Sequence, residues 1–513
     1  MRSKKALKNI FLALMLQFIT VICGFIVPRL IIENYGSDVN GLVSSITQFL
    51  AYITLLESGI APVVRAQLYK PIAEKNNKQI ADILKASEKF FKKIAYIFVG
   101  YLVVLCLAYP IIMNNQFDTL YTISLVIIIS ISTFAEYYFG MTYRIFLYAK
   151  QENYVVSLIQ IITTIINTIL VVVLVKMNVS IQIVKLISAI VFVFRPILQN
   201  IYVKRKYKID IKEADNSYKL KQKWDGLAQH IAAVVHGNTD VAVLTFFSTM
   251  TEVSVYSIYL MVINGIKKIV NSLTGGIDAS FGDMIARKEN NNLNTKFRIY
   301  ETFYITLITI VFSCTFVLIV PFVKVYTSEI NDVNYIRSIF AFIIVLSEFI
   351  YAIRLPYNTL VLSAGHFKET RVGAWIEAGA NLIISIILVK EHGLIGIAIG
   401  TLIAMLIRTI EFIVYSSKKI LERNILVAIK KIIIASIEII LIFVINNQIF
   451  GGIFINENYY ELFKYAIIIG CTACAETLII NYICFKKDFN EMIKTLKRAI
   501  KKEKRIENNV NTW

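Results

Sequence analysis

The sequence predicts an all-α polytopic membrane protein with about fourteen transmembrane helices. They form two six-helix lobes related by a pseudo-two-fold axis along the membrane normal, plus two C-terminal helices. Three observations carry this. The chain of 513 residues is 57% hydrophobic and 17% charged, with a mean hydropathy of +0.64; a soluble chain needs more polar surface than that. Apolar runs of about twenty residues recur from end to end, each long enough to cross a bilayer core. Basic residues crowd into alternate loops, as membrane insertion requires.

The first apolar run follows Arg2, Lys4, Lys5 and Lys8 and continues to Tyr35. It is too long for a signal-peptide core and lacks a small-residue cleavage site, so it stays as the first span, 9–34. The remaining spans fall at 39–69, 94–113, 119–148, 154–176, 179–203, 224–248, 252–285, 298–325, 333–364, 371–390, 393–416, 428–447 and 461–485. An even count puts both termini on one side. The densest basic pieces, Lys70–Lys93, Lys204–Lys223, Lys418–Lys431 and the tail from Lys486, share that side. The opposite side carries only Lys176, Lys324 and Lys390, all close to helix ends. Both termini are therefore expected in the cytoplasm of a cell membrane. The net charge of +19 is accounted for by these loops, which argues against a nucleic-acid partner.

The basic segment 204–223 lies between the sixth and seventh spans and reads as a cytoplasmic linker. It divides an N-lobe, 1–203, from a C-lobe, 224–416. Residues 167–176 read NTILVVVLVK and residues 381–390 read NLIISIILVK, six spans apart. An even offset preserves orientation, so the repeats are parallel. Residues 417–485 supply the two extra helices. In the tail, 486–513, Phe489, Ile493, Leu496 and Ile500 recur at helical spacing among lysines and arginines. That is the pattern of a basic amphipathic helix resting on anionic lipid, and equally of a solvated end.

The most informative residues are those a bilayer rejects. A charge at mid-membrane costs roughly 2.5–3.5 kcal/mol on insertion scales and so faces a cavity or a partner. In the eighth span Asn264, Lys267, Asn271, Thr274 and Asp278 share one face, with Lys268 adjacent. This stripe predicts a helix lining a water-filled cavity, with a structural ion pair as the alternative. In the second span Ser44, Thr47, Ala51, Thr54, Ser58, Ala61 and Arg65 share a face, with Glu57 nearby. In the tenth, Ser347, Tyr351, Arg354 and Asn358 do so beside Pro356. Arg29 follows Pro28 and precedes Glu33 by four residues, the spacing of an intrahelical pair. His236 and Asp240 stand at i and i+4, where they suit either proton exchange or a satisfied polar pair. Lys185, Arg195, Arg408 and Lys464 lie near span ends and read as snorkelling side chains. Together the spans offer mainly cations, so the matching ligand is an anion.

No catalytic signature is present: there is no phosphate-binding loop after a strand, no nucleophile elbow and no metal spacing. The longest outer loop, 447–460, is too short for a catalytic domain. Neither an enzyme activity nor a cofactor nor a metal is expected. The six cysteines fall in or beside spans and read as small buried packing residues, Cys471 and Cys474 included.

Two stretches carry a family resemblance. The segment GFIVPRLIIENYGSDVNGLVSSITQFLAYITLLESGIAPVVRAQLYKPIAEKN resembles the start of the polysaccharide-biosynthesis flippases of low-GC Gram-positive bacteria. HGNTDVAVLTFFSTMTEVSVYSIYLMVINGIKK, at 236–268, resembles the seventh and eighth helices of the same group. These belong to the multidrug/oligosaccharidyl-lipid/polysaccharide exporter superfamily. The resemblance implies two lobes opening alternately to either face, a polyprenyl-diphosphate-linked oligosaccharide as partner, and pathway glycosyltransferases and a polymerase as further partners. It implies cavity cations at Arg29, Arg65 and Lys267 or Lys268, beside the residue-derived candidates Arg354, Asn264 and Asn271. Asp240, His236 and Glu57 are the candidates for ion coupling. Three other readings stay open: a multidrug or cation antiporter of the same fold, a membrane polymerase or glycosyltransferase, and a transport-inactive scaffold for envelope assembly.

Overall fold

A computed structural model of the chain describes residues 2–57, 59–113, 116–207, 209, 214, 218, 227–272, 277–450, 458–495 and 497. Among these the regular structure is helical throughout, with no strand. The chain parts into two compact units, Met1–Ser257 and Ile258–Trp513.

The first unit holds α1 (Arg2–Tyr35), α2 (Ser37–Ala51), α3 (Thr54–Glu57), α4 (Ile60–Glu74), α5 (Asn77–Ile112), α6 (Thr119–Ala135), α7 (Met141–Ala149), α8 (Asn153–Lys176), α9 (Ile181–Tyr207), α10 (Leu227–Phe247) and the start of α11 (Met250–Ser272). Starts are marked where the sequence offers a cap: Asn76 accepts from the Gln79 amide at 3.0 Å, and Asp118 from Leu120 and Tyr121 at 3.0 and 3.2 Å. A π-type turn, Glu136–Gly140, joins α6 to α7. The second span, read as one helix over 39–69, is in fact broken. Tyr52 and Ile53 interrupt it, and Gly59 takes a left-handed φ of 79° before α4 begins. Gly41 brings α2 so close to the start of α11 that a Cβ there would overlap the Met250 carbonyl. Asn40 donates to Ser254 at 2.8 Å and Thr251 to Asp38 in the same contact. These bonds lie within the first unit, whose boundary falls inside α11.

The second unit holds the rest of α11, then α12 (Ile277–Ala286), α13 (Asn290–Tyr326), α14 (Ser338–Ser363), α15 (Arg371–Tyr415), α16 (Leu426–Phe450) and α17 (Tyr459–Cys484). Residues 273–276 lie outside the described residues, and with them Thr274 of the predicted stripe. The two spans expected at 371–390 and 393–416 are the arms of α15, folded at Gly393 (φ 50°, ψ −127°). Small residues let the arms touch: Cβ atoms on Gly396 and Gly400 would overlap the Leu388 carbonyl and the Ser385 hydroxyl.

Among the described residues, 11 helical stretches qualify as membrane spans by length and hydropathy. Counting the folded α15 as two, and adding the 21-residue α10 and the 25-residue α16, gives the predicted fourteen. Phe11, Leu14, Phe18, Leu107, Ile111 and Ile387 stand exposed on them, an apolar surface suited to lipid and not to water. Cys471, Cys474 and Cys484 are exposed on this surface, not buried as expected.

The 37 residues of α13 extend about 55 Å, well beyond the ~30 Å of a bilayer core. Its polar N-terminal third anchors the second unit. Glu301 accepts from Lys431 at 2.9 Å, from Tyr357 at 2.6 Å and from Arg423. The tail is helical over 486–495 and docks here through its acids: Arg298 meets Asp488 at 3.0 Å and Glu491 at 3.2 Å. Phe489 is buried as its spacing implied, while Leu496 and Ile500 lie outside the described residues.

Candidate functional site

The predicted cations meet different fates. Lys267 on α11 is bonded to Glu348 on α14 at 3.0 Å, and Arg354 on α14 to Glu377 on α15 at 2.7 Å. Both cations sit over the Tyr351 ring, at 5.0 and 4.9 Å from its centre. The pairs continue into a chain of alternating charge, for Arg408 reaches Glu377 at 3.3 Å and Glu411 at 2.5 Å. Arg29 holds Glu33 at 2.9 Å within α1. Arg29, Lys267 and Arg354 thus each carry a carboxylate partner: for Arg29 the intrahelical pair its spacing offered, for Lys267 the ion pair held open as the alternative to a bare cavity cation. Arg65 and Lys268 are exposed and have no ion-pair partner among the described residues. Asn264 and Asn271 are also exposed. Arg408, read as a snorkelling residue, is fully buried.

The candidates for ion coupling do not converge. Asp240 is buried and accepts from the Tyr256 hydroxyl at 2.7 Å. Glu57 accepts from the Tyr137 hydroxyl at 3.3 Å. The side chain of His236 lies outside the described residues.

A cavity in the first unit holds other cations. A cavity of about 800 Å³ runs between α1, α2, α3, the Glu136–Gly140 turn, α7, α8 and α9, within the roughly 300–1,000 Å³ typical of small-ligand sites. From α9 it receives Lys185, Ser188, Phe192 and Arg195. Their spacing of three and four residues makes them one face of the helix. Arg195 is positioned by α8: its Nε donates to the Thr163 hydroxyl at 2.7 Å and its Nη2 to Thr164 at 2.8 Å. Its guanidinium also rests 4.1 Å over the Phe192 ring. Two of its five N–H groups are thereby spent, leaving the others for a ligand. Lys185 has neither a carboxylate nor a hydrogen-bond partner among the described residues.

Two carboxylates line the same space, and among the described residues neither makes an ion pair with these cations. Glu136 is held by Arg144 at 2.8 Å, and Glu57 by Tyr137. The π-type turn that aims Glu136 inward is a helix irregularity of a kind common at working sites. α8 also contributes Asn167, 7% exposed, whose carbonyl oxygen has no hydrogen-bond partner among the described residues. A buried amide in that state is a vacancy for a hydroxyl donor. An anion brought to about 4 Å from either cation gains roughly 4 kcal/mol before desolvation at an effective dielectric of 20, and only about 1 kcal/mol at 15 Å.

Sequence reasoning set Lys185 and Arg195 aside because each lies near a helix end. The stripe 185, 188, 192, 195 was the available signal. Glu348 and Glu377 were missed because their partners come from other helices and no local spacing marks them.

No protein-family model and no curated protein matches the chain. Solved structures do. A lipid II flippase MurJ in an inward closed conformation aligns with a TM-score of 0.65 at 16% identity, covering 93% of this chain and 99% of that one. An inward-facing MATE-family multidrug resistance transporter of the MOP superfamily gives 0.57 at 13% identity, over 80% and 98% of the two chains. The MATE multidrug transporter DinF-BH gives 0.55 at 14%, over 80% and 94%. The chain therefore has the polytopic fold shared by the MurJ flippase and the MATE transporters, the fold of the exporter superfamily its sequence resembles.

Proposed function

We propose that the chain is a flippase that moves polyprenyl-diphosphate-linked oligosaccharide from the cytoplasmic to the outer leaflet of a bacterial membrane. It works by alternating access and serves capsule, exopolysaccharide or cell-wall polymer synthesis. Withdrawing an isoprenoid tail from lipid costs about 0.8 kcal/mol per CH₂, so the tail stays in the bilayer while the headgroup crosses a polar space. No bond is made or broken, and the site asks for no catalytic group. The observation that carries this reading is the cavity beside α9, where Lys185 and Arg195 have no ion-pair partner among the described residues, in a chain of this fold. Arg65 and Lys268, both exposed, are proposed as further phosphate contacts. Within the second unit, Lys267 and Arg354 are proposed as phosphate contacts only when a ligand phosphate displaces Glu348 or Glu377. Asn264 and Asn271 are proposed to meet sugar hydroxyls.

Glu57 and Glu136 in the same cavity favour a second reading, a multidrug antiporter, since organic cations need carboxylates. Proteoliposomes loaded with purified lipid-linked oligosaccharide separate the two. The flippase reading expects protein-dependent exposure of the sugar on the far leaflet, reduced at least tenfold in Arg195→Gln. Absence of that exposure, together with binding of organic cations in preference to polyprenyl diphosphate, would falsify it.

A further inference from the structure

The positions of the two cavity cations constrain the ligand further, given the flippase reading above. Lys185 and Arg195 are ten residues apart on one face of α9, which places them about 15 Å apart along its axis. Helical side chains lean towards the N-terminus, so both shift in the same direction and the separation persists at their charged ends. One phosphate, or one diphosphate, cannot lie against both. A monoanionic centre at one cation would leave the other, about 15 Å away, with no ion-pair partner among the described residues, an arrangement that membrane proteins avoid.

We propose that the headgroup carries a second anionic centre, a carboxylate- or phosphate-bearing sugar, a ring or two beyond its diphosphate. Arg195 takes the diphosphate. Its planar fork is pre-set by Thr163, Thr164 and Phe192, and a guanidinium matches phosphate oxygens in pairs. Lys185, a point charge with no hydrogen-bond or ion-pair partner among the described residues, reads the acidic sugar. Asn167 lines the same cavity, and its carbonyl oxygen, unpartnered among the described residues, accepts a hydroxyl from the sugar ring itself. The remaining charged groups on the cavity wall, Glu57, Glu136 and Arg144, do not fill the role of the second anion. Glu136 is committed to Arg144, and Glu57 makes no ion pair with either α9 cation.

The test compares two synthetic lipids with the same polyprenyl diphosphate, one carrying a neutral disaccharide and the other a disaccharide ending in a uronate. Headgroup translocation is followed in proteoliposomes containing the full chain. The proposal expects the uronate lipid to move about tenfold faster. Lys185→Gln should bring that ratio to near one by slowing the uronate lipid alone, and Lys185→Arg should restore it. Arg195→Gln should slow both. Equal movement of the two lipids by the unaltered protein overturns the acidic-sugar assignment and leaves the flippase reading intact. So does a Lys185→Gln effect that is the same on both. Movement of neither lipid overturns the flippase reading itself.

Discussion

Lys431 on α16 lies 2.9 Å from Glu301 on α13, with the two side chains only 2% and 0% exposed. This pair, with Arg423 and Tyr357, ties α13, α14 and α16 to one carboxylate. Deleting one member of a buried ion pair strands the other's charge, at a cost of about 3–5 kcal/mol. Glu301→Gln, which strands both Lys431 and Arg423, should therefore lower thermal stability in detergent sharply, whereas Lys431→Met, which leaves Glu301 paired with Arg423, should cost less. A Lys431→Met protein as stable as the parent would show that Glu301 is held adequately by Arg423 and Tyr357.

The Lys267–Glu348 bond joins α11 to α14. Contacting residues in one network couple by roughly 0.5–3 kcal/mol, so a double-mutant cycle with Lys267→Met and Glu348→Gln should be clearly non-additive in unfolding free energy. In transport, Glu348→Gln frees Lys267 for a phosphate and should lower the KM for lipid-linked substrate. An unchanged KM would mean that Lys267 does not meet the ligand.

On the α7–α8 connection, Glu152 is buried between Lys5 and Lys206, at 2.9 Å from each. Burial alone would raise its carboxyl; the hydrogen bonds from Lys206 and Lys5 outweigh that and hold it down to about 2, from an ordinary 4.5. An acid depressed on folding contributes stability that is complete above its unfolded value and disappears as pH falls through its folded value. Stability should therefore drop as pH is lowered from about 4.5 towards 2. Glu152→Gln should be less stable at neutral pH and should flatten that acid limb. The check is the melting temperature across pH 2 to 6 in detergent.

Close approach of α2 to the start of α11 depends on Gly41. Gly41→Ala sets a Cβ against backbone, at the Met250 carbonyl, and backbone cannot rotate away as a side chain can. Overpacking of this kind costs about 1–3 kcal/mol. Reduced thermal stability is expected, together with earlier proteolysis near residue 250. Parent-like behaviour would mean that this contact yields easily.

Much of the fold was legible because a bilayer imposes a simple rule: each crossing must be long, apolar and helical, and Lys and Arg gather on one side. Fourteen crossings follow from hydropathy alone. What hydropathy cannot register is a break that keeps the chain apolar, such as Tyr52–Ile53, or a fold-back that needs one residue, such as Gly393. The site was less legible. Arg29 and Glu33 were readable as a pair because four residues separate them; Lys267 and Glu348 are 81 residues apart and Arg354 and Glu377 23 apart. Charge at helix ends also misled. Lys185 occupies the fifth position of α9, where snorkelling is the ordinary expectation, and only the packing of α1 and α8 around it reveals a cavity.

The single-residue elbow in α15 bears on how the protein can be labelled and how it can move. With no loop between the arms, a protease or an inserted epitope finds no slack chain there, and the glycine contacts below the elbow keep the arms from spreading. The hairpin travels as one piece. A pair of spectroscopic probes on its two arms should hold a constant distance through a transport cycle and serve as an internal ruler for motion elsewhere.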